Sequence, residues 1–102
     1  MSHSIAELSV PADHPALPGH FPGQPIVPGV VLLALVHDQA RSQLGFGDGP
    51  SRWQRLKFLR PICPDERFRI LIDGDADAFR FQIETATGAA VARGQCRHAG
   101  LA

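Results

Sequence analysis

Two different hydrophobic rhythms divide the chain. From Gly29 the sequence reads GVVLLALVHDQARSQL, apolar on every side of its first two turns before His37, Asp38, Arg41 and Gln43 introduce polar positions. That pattern predicts one helix of about four turns, with its N-terminal half buried and its C-terminal half partly wet. Pro28 suits a first helical turn, and Gly45 is placed to stop the helix after Leu44. Beyond Ser51 the rhythm changes to period two: Phe68, Ile70 and Ile72, then Phe79, Phe81 and Ile83, alternate with arginines or polar neighbours. Strands are expected from Ile5 to Val10, Arg52 to Leu59, Arg67 to Asp73, Ala78 to Ala86 and Ala89 to Arg97. The last three are joined by turns at Gly74 with Asp75 and at Thr87 with Gly88, so they should form an antiparallel meander. Together these elements predict an α+β domain, a curved antiparallel sheet of about five strands wrapped around one central helix.

A chain of 102 residues and 11.0 kDa fits a single domain, residues 1–102, and is small enough that association with a second copy is a natural route to stability. Ten Lys plus Arg balance ten Asp plus Glu, which removes the electrostatic case for a nucleic-acid binder and favours small or neutral ligands. No apolar run approaches the roughly 20 residues of a membrane span, and the start MSHSIAELSV lacks a basic segment followed by an apolar core. A cytoplasmic, soluble protein is expected. Cys63 and Cys96 show no CxxC spacing, so both are expected to be buried and reduced, although spacing does not decide whether they bond. No internal repeat, P-loop, GxGxxG, Cys/His nucleophile pair or metal constellation is present, and no cofactor is expected.

The chemistry concentrates in HPALPGHFPGQPIVPGVVLL, residues 14–33, where two histidines, three glycines and five prolines directly precede the apolar helix. A run this rich in proline forbids a long helix or a central strand and holds its side chains stiffly. The start of a helix offers unpaired N–H groups and about half a positive charge, so the amide of Gly29 can hold a developing oxyanion. An imidazole beside it completes a minimal site, a base to remove a proton next to a carbonyl and a donor to stabilise the enolate. His20 is the candidate base.

These residues, Gly19-His20-Phe21-Pro22-Gly23 followed by Pro25, Pro28, Gly29 and Val30, resemble the motif GHFPGxPxxPGV of the hotdog-fold 3-hydroxyacyl-acyl-carrier-protein dehydratases. KFLRPICPDERFRI at residues 57–70 is similar to a strand, Arg-Pro turn and strand of the same family, so the resemblance covers most of the chain from about Ile5 onward. It implies a homodimer, or a higher even oligomer, of hotdog protomers with sheets joined edge to edge. It also implies an acyl tunnel at the interface, lined here by Phe21, Pro28, Val30, Leu33 and Ala34, and a substrate carried on acyl carrier protein. The resemblance makes His20 the acid/base residue and Gly29 the oxyanion-type amide. The family's second catalytic group, a carboxylate on the partner's helix, falls five residues after that glycine, and here the position is Ala34. His37 and Asp38 follow on roughly the same face one turn later, and either is a possible substitute acid/base. Set beside the family, the chain is expected to begin at the strand before the histidine loop, without the usual N-terminal region, which would leave one end of the tunnel more open.

The implied activity is reversible dehydration of a 3-hydroxyacyl thioester, by His20 with Gly29 N–H on the thioester oxygen. Two alternatives stand beside it, a hotdog thioesterase using a held water and a non-catalytic acyl-binding dimer, the latter favoured by Ala34. Plainer roles are expected for several side chains. His14 reads as structural, and His3 and His98, near the termini, read as solvated; Trp53 fits core, tunnel wall or dimer surface equally. Six of the ten basic residues fall between Arg52 and Arg69, either a solvated strand face or a positive rim for an acidic carrier.

Overall fold

The computed structural model describes residues 2–14, 26–45 and 50–98. The elements run β1 (Ser2–Leu8), α1 (Gly29–Leu44), β2 (Ser51–Phe58), β3 (Phe68–Gly74), β4 (Ala78–Thr85) and β5 (Ala90–His98). The five strands form one antiparallel sheet in the order β1-β3-β4-β5-β2, leaving β1 and β2 at the edges. This is the curved sheet around one helix that the two rhythms predict, and it is the hotdog fold.

The alternation in β3 and β4 directs Phe68, Ile70, Ile72, Phe79, Phe81 and Ile83 inward, where they are buried with Val31, Leu32, Val36 and Ala40 of α1. Val10, Val27 and Ile62 close the same core from the connecting segments. Outward positions carry charge, including the Arg69–Glu84 ion pair at 2.6 Å between directly opposed residues of β3 and β4. A bulge between Ile83 and Glu84 lets two successive residues of β5, Val91 and Ala92, both turn inward. Gly94 lies where β5 passes closest to its neighbours, since a Cβ there would sit 2.6 Å from Leu56 Cδ2.

Helix α1 has the expected limits. Gly45 adopts the left-handed conformation (φ 77°) and donates its N–H to the Arg41 carbonyl at 2.9 Å. Pro28 stands one place earlier than expected: it is extended (φ −60°, ψ 145°) and caps the helix from outside, its carbonyl accepting from the Val31 amide. β1 is also displaced from the predicted Ile5–Val10, because its ladder is set by β3, from Ser2 opposite Gly74 to Leu8 opposite Phe68. Val10 lies past that ladder, where its carbonyl accepts from the Asp65 amide.

Three burial expectations are corrected. The N-terminal half of α1 is buried on one side only, for Val30 is 73% exposed, because the sheet of a single chain covers one face of a helix that is apolar all round. Cys63 is exposed, lying in the β2–β3 connection rather than in a strand; Cys96 is buried, and neither forms a disulfide. His98 is buried rather than solvated, because β5 extends to it and the inward alternation of Gly94 and Cys96 continues. Among the described residues no helix is long and apolar enough to cross a membrane.

Candidate active site

Two open grooves flank the uncovered face of α1. The first, about 580 Å³, is lined by Val27, Gly29, Val30 and Leu33 on one side and by Phe58, Leu59 and Ile62 on the other. Its floor is set by a backbone bond, Val27 N–H to the Ile62 carbonyl at 2.8 Å, which ties the segment entering the helix to the chain leaving β2. Gly29 begins the helix here. A Cβ on it would meet the Phe58 ring at 3.0 Å, so glycine is what lets the ring lie this close to the backbone. Pro28 supplies no side-chain cap and the first turn holds no acidic residue, so no side chain of this turn competes for its N–H donors.

The second groove, about 530 Å³, continues along the helix and is lined by Val30, Leu33, Ala34, His37, Asp38, Ser51 and Trp53. Val30 and Leu33 line both grooves and join them into one apolar path. Ala34 is exposed on its wall and leaves the helix without a carboxylate at that point. His37 and Asp38 both reach this groove, but differently. Asp38 is exposed, whereas His37 is half-buried, with Nε2 3.1 Å from Ser51 Oγ and its ring edge-on to Trp53 at 6.3 Å. Burial holds the His37 pKa below the usual 6.5, helped by the positive charge of Arg41 and by His98 and opposed by Asp38.

Of the residues singled out from sequence, Gly29, Val30, Leu33, Ala34, His37 and Asp38 therefore share one continuous surface, and Pro28 stands at its head as the helix cap. His20 and Phe21 lie outside the described residues. Ser51 and Trp53 line the second groove and His98 stands behind Ser51; sequence reading gave Ser51 no role, read His98 as solvated and left Trp53 open between core, tunnel wall and dimer surface. The signal was present in part: Ser51 and Trp53 are two apart on β2, and Gly94, Cys96 and His98 keep one alternation. What sequence does not show is the register that sets Ser51 directly opposite His98.

The family model for ApeI dehydratase matches residues 1–95. The chain belongs to the ApeI-like family. Beyond that match, the chain is 28% identical over 93 residues to the 3-hydroxyacyl-[acyl-carrier-protein] dehydratase FabZ of Gluconacetobacter diazotrophicus, covering 79% of this chain and 58% of that protein. It thus spans little more than half the length of that curated relative. The dehydratase heterocomplex ApeI:P from Xenorhabdus doucetiae superposes with a TM-score of 0.82 at 24% identity, covering 93% of this chain and 85% of that one. A 1,4-dihydroxy-2-naphthoyl-CoA thioesterase from Synechocystis shares the fold more distantly, with a TM-score of 0.60 at 17% identity over 99% of this chain and 90% of that one. Fold likeness therefore extends across two chemistries, and the ApeI-like assignment rests on the sequence match.

Proposed function

We propose that this ApeI-like chain removes water reversibly from a 3-hydroxyacyl thioester, carried on acyl carrier protein, to give the trans-2-enoyl thioester. The observation that carries the reading is the start of α1, where a helix with no side-chain cap opens at Gly29 onto an apolar groove that continues past Ala34. A thioester carbonyl seated there meets the Gly29 N–H, which stabilises the negative charge that develops when the α-proton leaves. His20 takes that proton, and the C3–O bond breaks as the hydroxyl departs as water. Without a carboxylate at Ala34, the proton for that hydroxyl comes back from His20 or from His37 or Asp38 in the same groove.

The working unit in this reading is a cytoplasmic homodimer, or a higher even oligomer, of one domain each. Strand β2 is a sheet edge beside the exposed apolar residues Val30, Phe58 and Leu59, and an unpaired edge next to uncovered apolar surface favours pairing with a second copy. The exposed cations of β2, Arg52, Arg55 and Lys57, suit an acidic carrier.

The test is incubation with a 3-hydroxyacyl thioester while enoyl absorbance is followed. His20→Ala is expected to lower kcat by about 10² to 10⁴, and Ala34→Glu to raise it; an unchanged rate in His20→Ala rejects the mechanism. Ala34 also supports a second reading, an acyl-binding dimer without turnover, for which an acyl-thioester analogue binds and no enoyl product forms. A thiol reagent separates both from a thioesterase, which alone releases free thiol.

A further inference from the structure

The wall of the second groove facing Ala34 is not apolar throughout. Ser51, the first residue of β2, stands opposite His98, the last residue of β5, and its Oγ lies 3.3 Å from His98 Nδ1 and 3.1 Å from His37 Nε2. Three elements, α1, β2 and β5, thus converge on one hydroxyl. Burial pushes up the pKa of the Cys96 thiol, and the Ser51 hydroxyl acts in the opposite direction.

A serine hydroxyl has one hydrogen and two lone pairs, so it donates to at most one of the two imidazoles. The tautomers of His37 and His98 are therefore linked through Ser51: where one ring accepts from the hydroxyl, the other donates to it or bonds weakly. A helix can be tied to a sheet corner by apolar contacts alone. Here the corner instead places a fixed imidazole on a substrate-sized groove, half-buried and braced by Trp53. His37 follows Ala34 by three residues, about 4.5 Å along the axis and on nearly the same face. Asp38, the other candidate in this groove, is exposed, and among the described residues no hydrogen bond or ring contact holds it as Ser51 and Trp53 hold His37.

Taking the dehydratase reading as its premise, we infer that Ser51 and His98 are positioning residues that hold His37 as the second acid/base group of the site, one turn beyond the alanine that interrupts the dyad. In the step this implies, the α-proton passes to neutral His20 while the protonated form of His37, the minor form at neutral pH because burial lowers its pKa and for the same reason the stronger acid, gives its proton to the 3-hydroxyl. The C3–O bond breaks and water leaves. Exchange with solvent water then takes the proton from the His20 imidazolium and returns one to the His37 imidazole, so one proton leaves carbon and one joins oxygen in each turnover.

Ser51→Ala, Ser51→Thr, His98→Gln and His37→Gln test this in the full chain with a 3-hydroxyacyl thioester. His37→Gln is expected to lower kcat by about 10² or more. Ser51→Ala and His98→Gln are expected to lower it at least about tenfold by letting the ring drift, with KM little changed, while Ser51→Thr keeps the hydroxyl and the rate. Nitrogen NMR of the imidazoles supplies a readout that does not depend on turnover or on fold stability: His37 changes tautomer balance in Ser51→Ala and in His98→Gln, and keeps it in Ser51→Thr. Wild-type turnover that depends on His20 but survives His37→Gln, or a His37 ring indifferent to Ser51→Ala, overturns this inference and leaves the dehydratase reading standing. A wild-type chain that forms no enoyl product overturns both.

Discussion

The two faces of α1 are made of the same kinds of residue and have opposite fates. Val31, Leu32, Val36 and Ala40 are buried against the sheet, whereas Val30 is 73% exposed and Ala34 also lies open, on a ridge that runs along the joined grooves. The same stretch of helix carries the described residues that the proposed chemistry uses, from the amide of Gly29 to the ring of His37. The first two turns of α1 are apolar on every side, a pattern that belongs in a fully buried position, yet one curved sheet covers them on one side only. The covered half stabilises the fold, and the uncovered half is where substrate and a second chain are expected to meet.

The largest effect should separate the faces most clearly. Leu32→Ala, on the covered face, is expected to cost about 2–5 kcal/mol in urea denaturation. Val30→Lys, two residues earlier on the ridge, should stay within about 0.5 kcal/mol for the folded chain while abolishing self-association by light scattering. Comparable losses from both would mean that the ridge is not an open face.

A single added methyl gives a smaller contrast. In Gly94→Ala the new carbon meets Leu56 and Phe81 side chains at 2.6 and 2.9 Å, an overpacked core expected to cost about 1–3 kcal/mol. In Gly29→Ala it meets only the Phe58 ring, which is 52% exposed and free to swing aside, so the change should be under about 1 kcal/mol. Thermal melts of the two variants decide it.

The smallest expected effect is the pH dependence of His37. Its folded value lies below 6.5, chiefly from burial and the charge of Arg41, with His98 adding and Asp38 opposing. Between that value and 6.5 the unfolded chain holds more protons than the folded one, so stability rises with pH across this window and is lost as pH falls through the folded value. Comparing the wild type with His37→Gln from pH 5 to 7 should show the slope flatten in the variant, and a slope of opposite sign would contradict the half-buried ring.

Much of this molecule is legible in local sequence. The limits of α1 at Gly29 and Leu44 follow from a proline before it and a left-handed glycine after it, both local devices. The meander β3-β4-β5 follows from period-two alternation and two short turns. The same alternation, carried past Cys96, would have turned His98 inward, but its nearness to the terminus argued for solvent. The start of β1 was not legible, because it depends on how far β3 extends to pair with it.

Local order along the chain is enough to say which residues are apolar, where the helix starts and stops, and that a proline-stiffened histidine motif precedes Gly29. It takes the folded sheet to leave one side of α1 uncovered, to set Ser51 opposite His98, and to bring Ser51 and Trp53 against His37. Helix limits and alternation come from neighbours a few residues apart, whereas register and burial are settled by pairings such as Ser51 with His98, 47 positions away, for which no local propensity carries information.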